Sequence, residues 1–206
     1  MRKISSLLIA AAALAAAPAT LHAQSPVANP APAAVQAGNY KVETSHTRVQ
    51  FTVSHMGFSD WYGDFTGATG TLSLDPKAIA KAKLEVTIPV ASVSTTNTTL
   101  DGELKSNAWF DADKFPTITF TSAKVTPTGP RTALVAGNLT FHGVTKPVVL
   151  KASFLASGVN PLSKGYTIGF NATTTLKRSD FGVKTYVPLI GDEVTLRISA
   201  AFEKAQ

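Results

Sequence analysis

Residues 49–55 read Val-Gln-Phe-Thr-Val-Ser-His, and this stretch decides the fold class. Val49, Phe51, Val53 and His55 occupy alternate positions, and polar residues occupy the positions between them. Because the side chains of a β-strand alternate between its two faces, the stretch predicts a strand with one apolar and one polar face. The same two-residue period recurs almost to the C-terminus with little helical periodicity beside it, so the chain is predicted to be all-β.

About eight antiparallel strands follow from this period, and they favour an up-and-down barrel or a sandwich. The first predicted strand, 40–44, leads into 48–55. The others are 64–74, 84–90, 117–125, 133–141, 148–155, 166–174 and 194–202. Residues 56–63 are predicted to be a loop and residues 126–130 a turn. One short helix is predicted over Thr98–Asn107, capped by Thr98 and Thr99, with Leu100 and Leu104 one turn apart. This helix is expected to plug or brace one end of the sheet.

The N-terminus is predicted to be processed. Residues 1–23 resemble a secretory signal peptide, because Arg2 and Lys3 precede an apolar run that is too short to span a bilayer. Residues 24–38 are rich in Ala and Pro and are expected to form a disordered tether. Residues 39–206 have the size of one domain. No later segment is apolar enough for a stable membrane span.

Charge and cysteine content exclude several classes of function. Removal of Arg2 and Lys3 lowers the formal net charge from +6 to +4, and the remaining lysines are scattered. Nucleic acid is therefore not an expected partner. The chain has no cysteine, which excludes thiol catalysis, Cys-ligated zinc and iron–sulfur clusters.

Enzyme and metal motifs are also missing, including nucleophile elbows, phosphate-binding loops, dinucleotide fingerprints and HExxH. The histidines outside the signal peptide are His46, His55 and His142, and none has acidic neighbours at a spacing typical of a metal site. Local hydrogen bonding is the simplest interpretation of all three. A histidine-dependent hydrolase or metalloenzyme that uses His46 and His55 remains an alternative.

Two polar residues are candidate ligand contacts. His55 continues the apolar face of its strand, so it could present a polar group at the mouth of an apolar interior or bond to the protein backbone. Arg178 lies in Lys177-Arg178-Ser179-Asp180, which interrupts the strand pattern. Its guanidinium could bind a phosphate or carboxylate headgroup, or it could pair with neighbouring loops.

A series of motifs in fixed order, from Tyr40 to about Glu203, resembles the YceI family of small secreted bacterial proteins. The matching motifs are His46-Thr47, Phe51-x-Val53-x-His55-x-Gly57, Gly63-x-Phe65, Leu104-Lys105-Ser106, Phe110-Asp111, Phe115-Pro116, Phe120-x-Ser122, Gly137-x-Leu139-Thr140-x-x-Gly143-Val144-Thr145-x-Pro147-Val148, Arg178-Ser179-Asp180-Phe181-Gly182 and Gly191-Asp192-Glu193-Val194. Thr47 stands where the family often has Ser, and Trp109 where an aromatic such as Phe is usual.

The resemblance implies a lipocalin-like barrel that binds a polyisoprenoid or another long-chain lipid in the periplasm, without metal, cofactor or catalysis. Residues expected to line its cavity are Phe51, Val53, Phe120, Phe141, Ile168 and Phe170, with His55 and Arg178 as polar contacts. A monomer or a homodimer is expected. The alternative within the same fold is a structural or stress-response barrel without a dedicated ligand, whose interior is filled by side chains.

Overall fold

A computed structural model describes residues 27–205; the predicted signal peptide lies outside this range. The described chain is mostly β-strand with one α-helix, α1 (Thr98–Lys105). The strands are β1 (Gly38–Val42), β2 (Arg48–His55), β3 (Ser59–Phe65), β4 (Thr69–Leu74), β5 (Lys83–Pro89), β6 (Thr117–Gly129), β7 (Thr132–Phe141), β8 (Val144–Val159), β9 (Tyr166–Lys177) and β10 (Ile190–Lys204).

The sheet closes into an eight-stranded antiparallel barrel. Strands β4 to β10 pair in chain order, and β1 pairs with both β4 and β10, which completes the ring. The C-terminal part of β10 pairs with β1, while its earlier residues, Ile190 to Ser199, pair with β2. The hairpin β2–β3 therefore extends the wall beside β1. The prediction of an eight-stranded barrel is confirmed, and the sandwich is excluded by the closed ring.

Two predicted boundaries are wrong around β3. The expected loop at residues 56–63 already contains β3, which begins at Ser59. The expected single strand at residues 64–74 is divided into β3 and β4, because Gly67 adopts a left-handed φ of 69° in the connection. The inward positions of β3 are Trp61, Gly63 and Phe65. Because Gly63 has no side chain, the apolar alternation of this strand is partly hidden in the sequence.

One predicted turn and one predicted helix cap also differ from the structure. The expected turn at residues 126–130 belongs mostly to β6, which continues to Gly129 and pairs with β7 along this stretch. Helix α1 begins at Thr98 as predicted, but its cap is Asn97, whose side-chain oxygen accepts hydrogen bonds from the amides of Thr99 and Leu100 at 3.1 Å. Leu104 of α1 is buried against the barrel residues Phe51 and Ile118 in one apolar cluster, so the helix closes one end of the barrel.

The expectation of a disordered tether is wrong for residues 27–37. Asn29 exchanges backbone hydrogen bonds with Ser157 of β8 at 2.7 and 2.9 Å. Val35 is buried, and the hydroxyl of Tyr166 donates to the carbonyl of Ala34 at 2.7 Å. Although this segment is poor in large side chains, Val35 anchors it and its backbone groups bond to the barrel. We call residues 27–37 the N-terminal strap.

The strap and α1 cover opposite ends of the barrel. Strands β8 and β10 end beside the strap, whereas β2 and β9 end beside α1 and the segment 178–190. These two ends are called the strap end and the helix end below. No helix in residues 27–205 is long and apolar enough to span a lipid bilayer.

Candidate functional site

The interior of the barrel holds an apolar cavity of about 910 Å³. Its walls include residues from every strand of the closed ring, with Val42 contributed by β1, and α1 contributes Leu100 and Leu104. At the strap end it is bordered by Pro32, Val35 and Arg131 of the β6–β7 turn. At the helix end it is bordered by Met56, Tyr186 and Leu189. The cavity thus runs along the barrel, which disagrees with the alternative of an interior filled by side chains.

The opening sequence motif forms one wall of this cavity. Phe51 and Val53 of β2 face Leu196 and Val194 of β10 in the strand register, and all four line the cavity. The cross-strand pairs keep apolar side chains of both strands on the inner face. The two-residue period that predicted the strand therefore describes the surface that a ligand would touch.

Two glycines of the YceI motifs allow aromatic rings to lie against the wall. Gly63 faces Phe51 across β2 and β3, and a Cβ atom at Gly63 would collide with the Phe51 ring. Gly137 of β7 pairs with Ser122 of β6, and a Cβ atom there would collide with the Phe120 ring of β6. Because these positions carry no side chain, each ring covers its neighbouring strand.

All the predicted lining residues except Ile168 border the cavity. Phe51, Val53, Phe120, Phe141 and Phe170 lie in its wall, as do His55 and Arg178. Ile168 is fully buried in a different place, in an apolar cluster with Tyr40 and Phe154 near the strap end. It shares the inward parity of Phe170, but the strap and β1 pack over that end of β9.

Arg178 is buried, and three of its five N–H donors bond to the protein. Its guanidinium donates hydrogen bonds to the carbonyls of Gly191 at 2.9 Å, Val183 at 3.0 Å and Ile190 at 2.8 Å. It also stacks 5.4 Å from the centre of the Trp109 ring. Burial lowers the pKa of the guanidinium, which the nearby Asp192 carboxylate opposes. The geometry favours the structural interpretation of Arg178, because its donors hold the segment 183–191 in place.

Asp192 completes this network on the side of Ser179. Its carboxylate accepts hydrogen bonds from the Ser179 amide at 2.9 Å and the Ser179 hydroxyl at 2.7 Å. Burial alone would raise the pKa of Asp192, but the bonds from Ser179 and the charges of Arg178 and Lys177 hold it below its usual value. The Arg-Ser-Asp and Gly-Asp-Glu motifs therefore join the end of β9 to the start of β10.

The histidines occupy three different environments. His46 binds the carboxylate of Glu43 at 2.6 Å, and His142 bonds to the carbonyl of Phe181 at 3.0 Å. His55 lines the cavity at the helix end, with its ring 6.5 Å from the ring of Trp61. Within residues 27–205, no three His, Asp or Glu side chains are grouped so that they could hold a metal ion.

Trp61 and the strap are parts of the site that sequence reasoning missed. Trp61 faces Val53 across the β2–β3 hairpin and lines the cavity, and its buried Nε1 finds no acceptor among the described residues. The alternation of Trp61 and Phe65 was a usable signal for this strand, although Gly63 interrupts it. The strap offered only the isolated apolar residue Val35, which no periodic pattern marks.

The sequence and the fold both match known proteins. The YceI-like domain family matches residues 40–202. A UPF0312 protein of Pseudomonas fluorescens is 41% identical over 179 residues, which cover 84% of this chain and 90% of that protein. A UPF0312 protein of Pseudomonas savastanoi is 40% identical over 164 residues, covering 80% of this chain and 83% of the relative.

Solved structures share the architecture. BcnA of Burkholderia cenocepacia aligns with a TM-score of 0.71 at 25% identity, covering 78% of this chain and 98% of BcnA. The YceI protein of Campylobacter jejuni aligns with a TM-score of 0.66 at 30% identity, covering 74% and 90%. A polyisoprenoid binding domain from Saccharophagus degradans has the same fold, with a TM-score of 0.64 at 14% identity over 82% of this chain and all of that domain. With its barrel, its motifs and these matches together, the chain belongs to the YceI family.

Proposed function

We propose that this protein binds one long apolar chain, of the polyisoprenoid class or a similar long-chain amphiphile, inside the barrel and without catalysis. The observation that carries the proposal is the apolar cavity of about 910 Å³ that runs between the strap end and the helix end. Ligand sites are typically concave and mostly apolar with a few polar groups. An elongated apolar cavity closed by strands suits a flexible hydrocarbon better than a compact polar metabolite.

The size of the cavity limits the length of the ligand. An apolar cavity of about 150 Å³ holds one benzene molecule, so 910 Å³ has room for about six such groups. That corresponds to roughly 36 carbon atoms, or about seven five-carbon isoprene units. Each buried methylene contributes about 0.8 kcal/mol to the binding free energy. Summed over the chain, this is enough to hold a lipid that water does not dissolve.

The polar end of the ligand belongs at the helix end of the cavity. His55 lies there, and the buried Nε1 of Trp61 lacks an acceptor among the described residues. Buried donors are normally hydrogen-bonded, so an acceptor on the ligand would satisfy this one. His55 and Trp61 are therefore the proposed polar contacts, and Arg178 is a positioning residue.

Binding without catalysis agrees with the state of the charged lining residues. Glu103 accepts a hydrogen bond from Trp109 Nε1 at 3.1 Å, and Arg131 donates to the carbonyl of Phe154 at 2.9 Å. Arg178 is held by three carbonyls. These groups are engaged in holding the ends of the barrel, and within residues 27–205 no hydrogen bond joins the His55 side chain to the acid or nucleophile that general acid–base chemistry needs.

The signal-peptide pattern and the family resemblance support a periplasmic location. The Saccharophagus domain, which is described as binding polyisoprenoid, supports the class of ligand through its shared fold.

Native mass spectrometry of protein purified from its own periplasm tests the proposal. We expect a bound mass that is released by organic solvent and identified as a prenyl or other long-chain lipid. Titration of delipidated protein with prenyl alcohols of increasing length should show affinity rising up to about seven isoprene units and then levelling off. Protein that is reproducibly empty and has no affinity for these alcohols would refute the proposal.

A further inference from the structure

Exposed apolar side chains gather at the helix end of the barrel. Met56 is 51% exposed, Phe58 89%, Tyr186 60%, Val187 37% and Leu189 60%. We call these five residues the apolar rim. Single exposed apolar residues are common on proteins, but a group of them at one place usually marks an interaction surface.

Two segments that are distant in the sequence form the rim. Met56 and Phe58 belong to the β2–β3 turn, whereas Tyr186, Val187 and Leu189 precede β10. The amide of Met56 donates to the carbonyl of Leu189 at 2.9 Å, which holds the two segments side by side. The Tyr186 ring lies 6.1 Å from the Trp109 ring, so the rim also contacts the segment after α1.

The rim is continuous with the cavity. Met56, Tyr186 and Leu189 line the cavity and are more than half exposed, so they border the interior and the solvent together. Exposed polar residues line the cavity at both ends: Arg131 and Thr132 at the strap end, and Asn97, Thr99 and Glu103 at the helix end. Large apolar side chains that are both exposed and part of the lining are found at the helix end, where they share the border of the cavity with these polar residues.

We propose that the apolar rim inserts into the surface of a lipid bilayer and places this mouth of the cavity against the membrane. The inference rests on the proposed function, because an apolar cargo that is insoluble in water resides in bilayers. A mouth pressed against the membrane lets the chain move between bilayer and cavity without crossing water, where each exposed methylene costs about 0.8 kcal/mol.

Shape favours a membrane over a second protein. The rim consists of two protruding turns with Phe58 almost fully exposed, whereas stable protein interfaces need broad complementary surfaces. Aromatic and aliphatic side chains of this kind insert at the level of the lipid headgroups. Lys184 is exposed in the same segment and can contact anionic headgroups, while Asp60 of β3 opposes this attraction. The apolar side chains are therefore the main source of affinity.

Co-sedimentation with vesicles of phosphatidylethanolamine and phosphatidylglycerol tests the inference with a matched pair of variants. Phe58→Ser removes the most exposed residue of the rim, and Leu162→Ser is its control. Both residues are 89% exposed, and neither lines the cavity. Leu162 lies before β9, and the rim segment 186–189 lies after β9. The 12 residues of β9 therefore place Leu162 about 40 Å from the rim.

We expect wild type and Leu162→Ser to bind the vesicles equally, and Phe58→Ser to bind at least about fivefold more weakly. Because the chain lacks cysteine, Phe58→Cys and Leu162→Cys can each carry one environment-sensitive fluorophore. Emission should shift to the blue on addition of vesicles at position 58 and stay constant at position 162.

Vesicle binding that is absent in wild type, or equal in the two serine variants, would overturn the inference. So would loss of a dimer in Phe58→Ser without vesicle binding by wild type, since a second copy would then cover the rim. Binding of a soluble short-chain prenyl alcohol, measured without vesicles, separates this test from the proposed function. Phe58→Ser should retain that binding; if wild type binds vesicles but no prenyl alcohol, the proposed function fails instead.

Discussion

Replacement of Ala172 by phenylalanine should divide the cavity and shorten the ligand that it accepts. Ala172 of β9 faces Ala152 of β8 in the strand register, and both side chains line the cavity. Ala172 lies near the middle of β9, so a ring at this position enters the interior between the strap end and the helix end.

The size of the effect follows from the volume of the ring. A phenyl group takes up the space of one benzene molecule, about 150 Å³, which is about one sixth of the 910 Å³ cavity. A long ligand then loses burial of about six carbon atoms, worth at most about 5 kcal/mol. A loss of half of that binding free energy would lower the affinity of the long ligand about 50-fold. A short prenyl alcohol can bind in one part of the cavity, so its affinity should change little.

Competition of prenyl alcohols of different length against a fluorescent prenyl probe measures this selectivity. Thr173→Phe is the matched control, because Thr173 is the next residue of β9 and is exposed on the outer face. Its affinities should equal those of wild type for every length. The urea midpoint of Ala172→Phe should not fall, since the ring occupies empty apolar space. If Ala172→Phe binds long chains as tightly as Thr173→Phe does, the ligand does not lie in the barrel.

Three further predictions concern the ends of the barrel. Arg178→Gln should lower the free energy of unfolding by about 3 kcal/mol, because three backbone carbonyls lose charged donors; the folded fraction should keep its affinity for prenyl alcohols, and a selective loss of affinity would make Arg178 a ligand contact. Val35→Ser should lower the free energy of unfolding by about 2 kcal/mol and expose the strap to limited proteolysis; an unchanged digestion pattern would show that Val35 does not anchor it. Asp192→Asn should be less stable than wild type at pH 7 by about 1 kcal/mol. Because folding lowers the pKa of Asp192, its stabilising contribution is present above the unfolded pKa of about 3.9 and is lost as pH falls through the folded pKa. Urea unfolding of the two proteins should therefore converge in acid, and a difference that grows below about pH 4 would contradict the assignment.

The strands with regular alternation were predicted well, and those interrupted by glycine were not. β2 has the bounds that its period predicts, Arg48–His55, because every second side chain there is apolar. Most of β3, residues 59–63, was predicted as a loop, since Gly63 replaces one inward side chain. That glycine is required by the Phe51 ring of the neighbouring strand, and a contact between strands leaves no local signal.

The site was predicted in its walls and missed at its ends. Phe51, Phe120 and Phe170 were identified by the parity of their strands together with the resemblance to a lipid-binding barrel, because a closed barrel turns one parity of each strand inward. Parity does not say which end of a strand is covered, and Ile168 was therefore placed in the cavity although it lies in the core near the strap end. The strap itself depends on pairing between Asn29 and Ser157, residues that no local pattern joins.

The order of residues from Val49 to His55 determined by itself that this protein is built of strands with one apolar face, since side-chain direction alternates along any extended chain. The motifs of the whole domain placed it among the YceI proteins. The tertiary structure alone decided that these apolar faces enclose about 910 Å³ of space, because closure depends on β1 pairing with both β4 and β10. It alone decided that an apolar rim borders the mouth at the helix end, since Met56 and Leu189 meet only after the ring has closed.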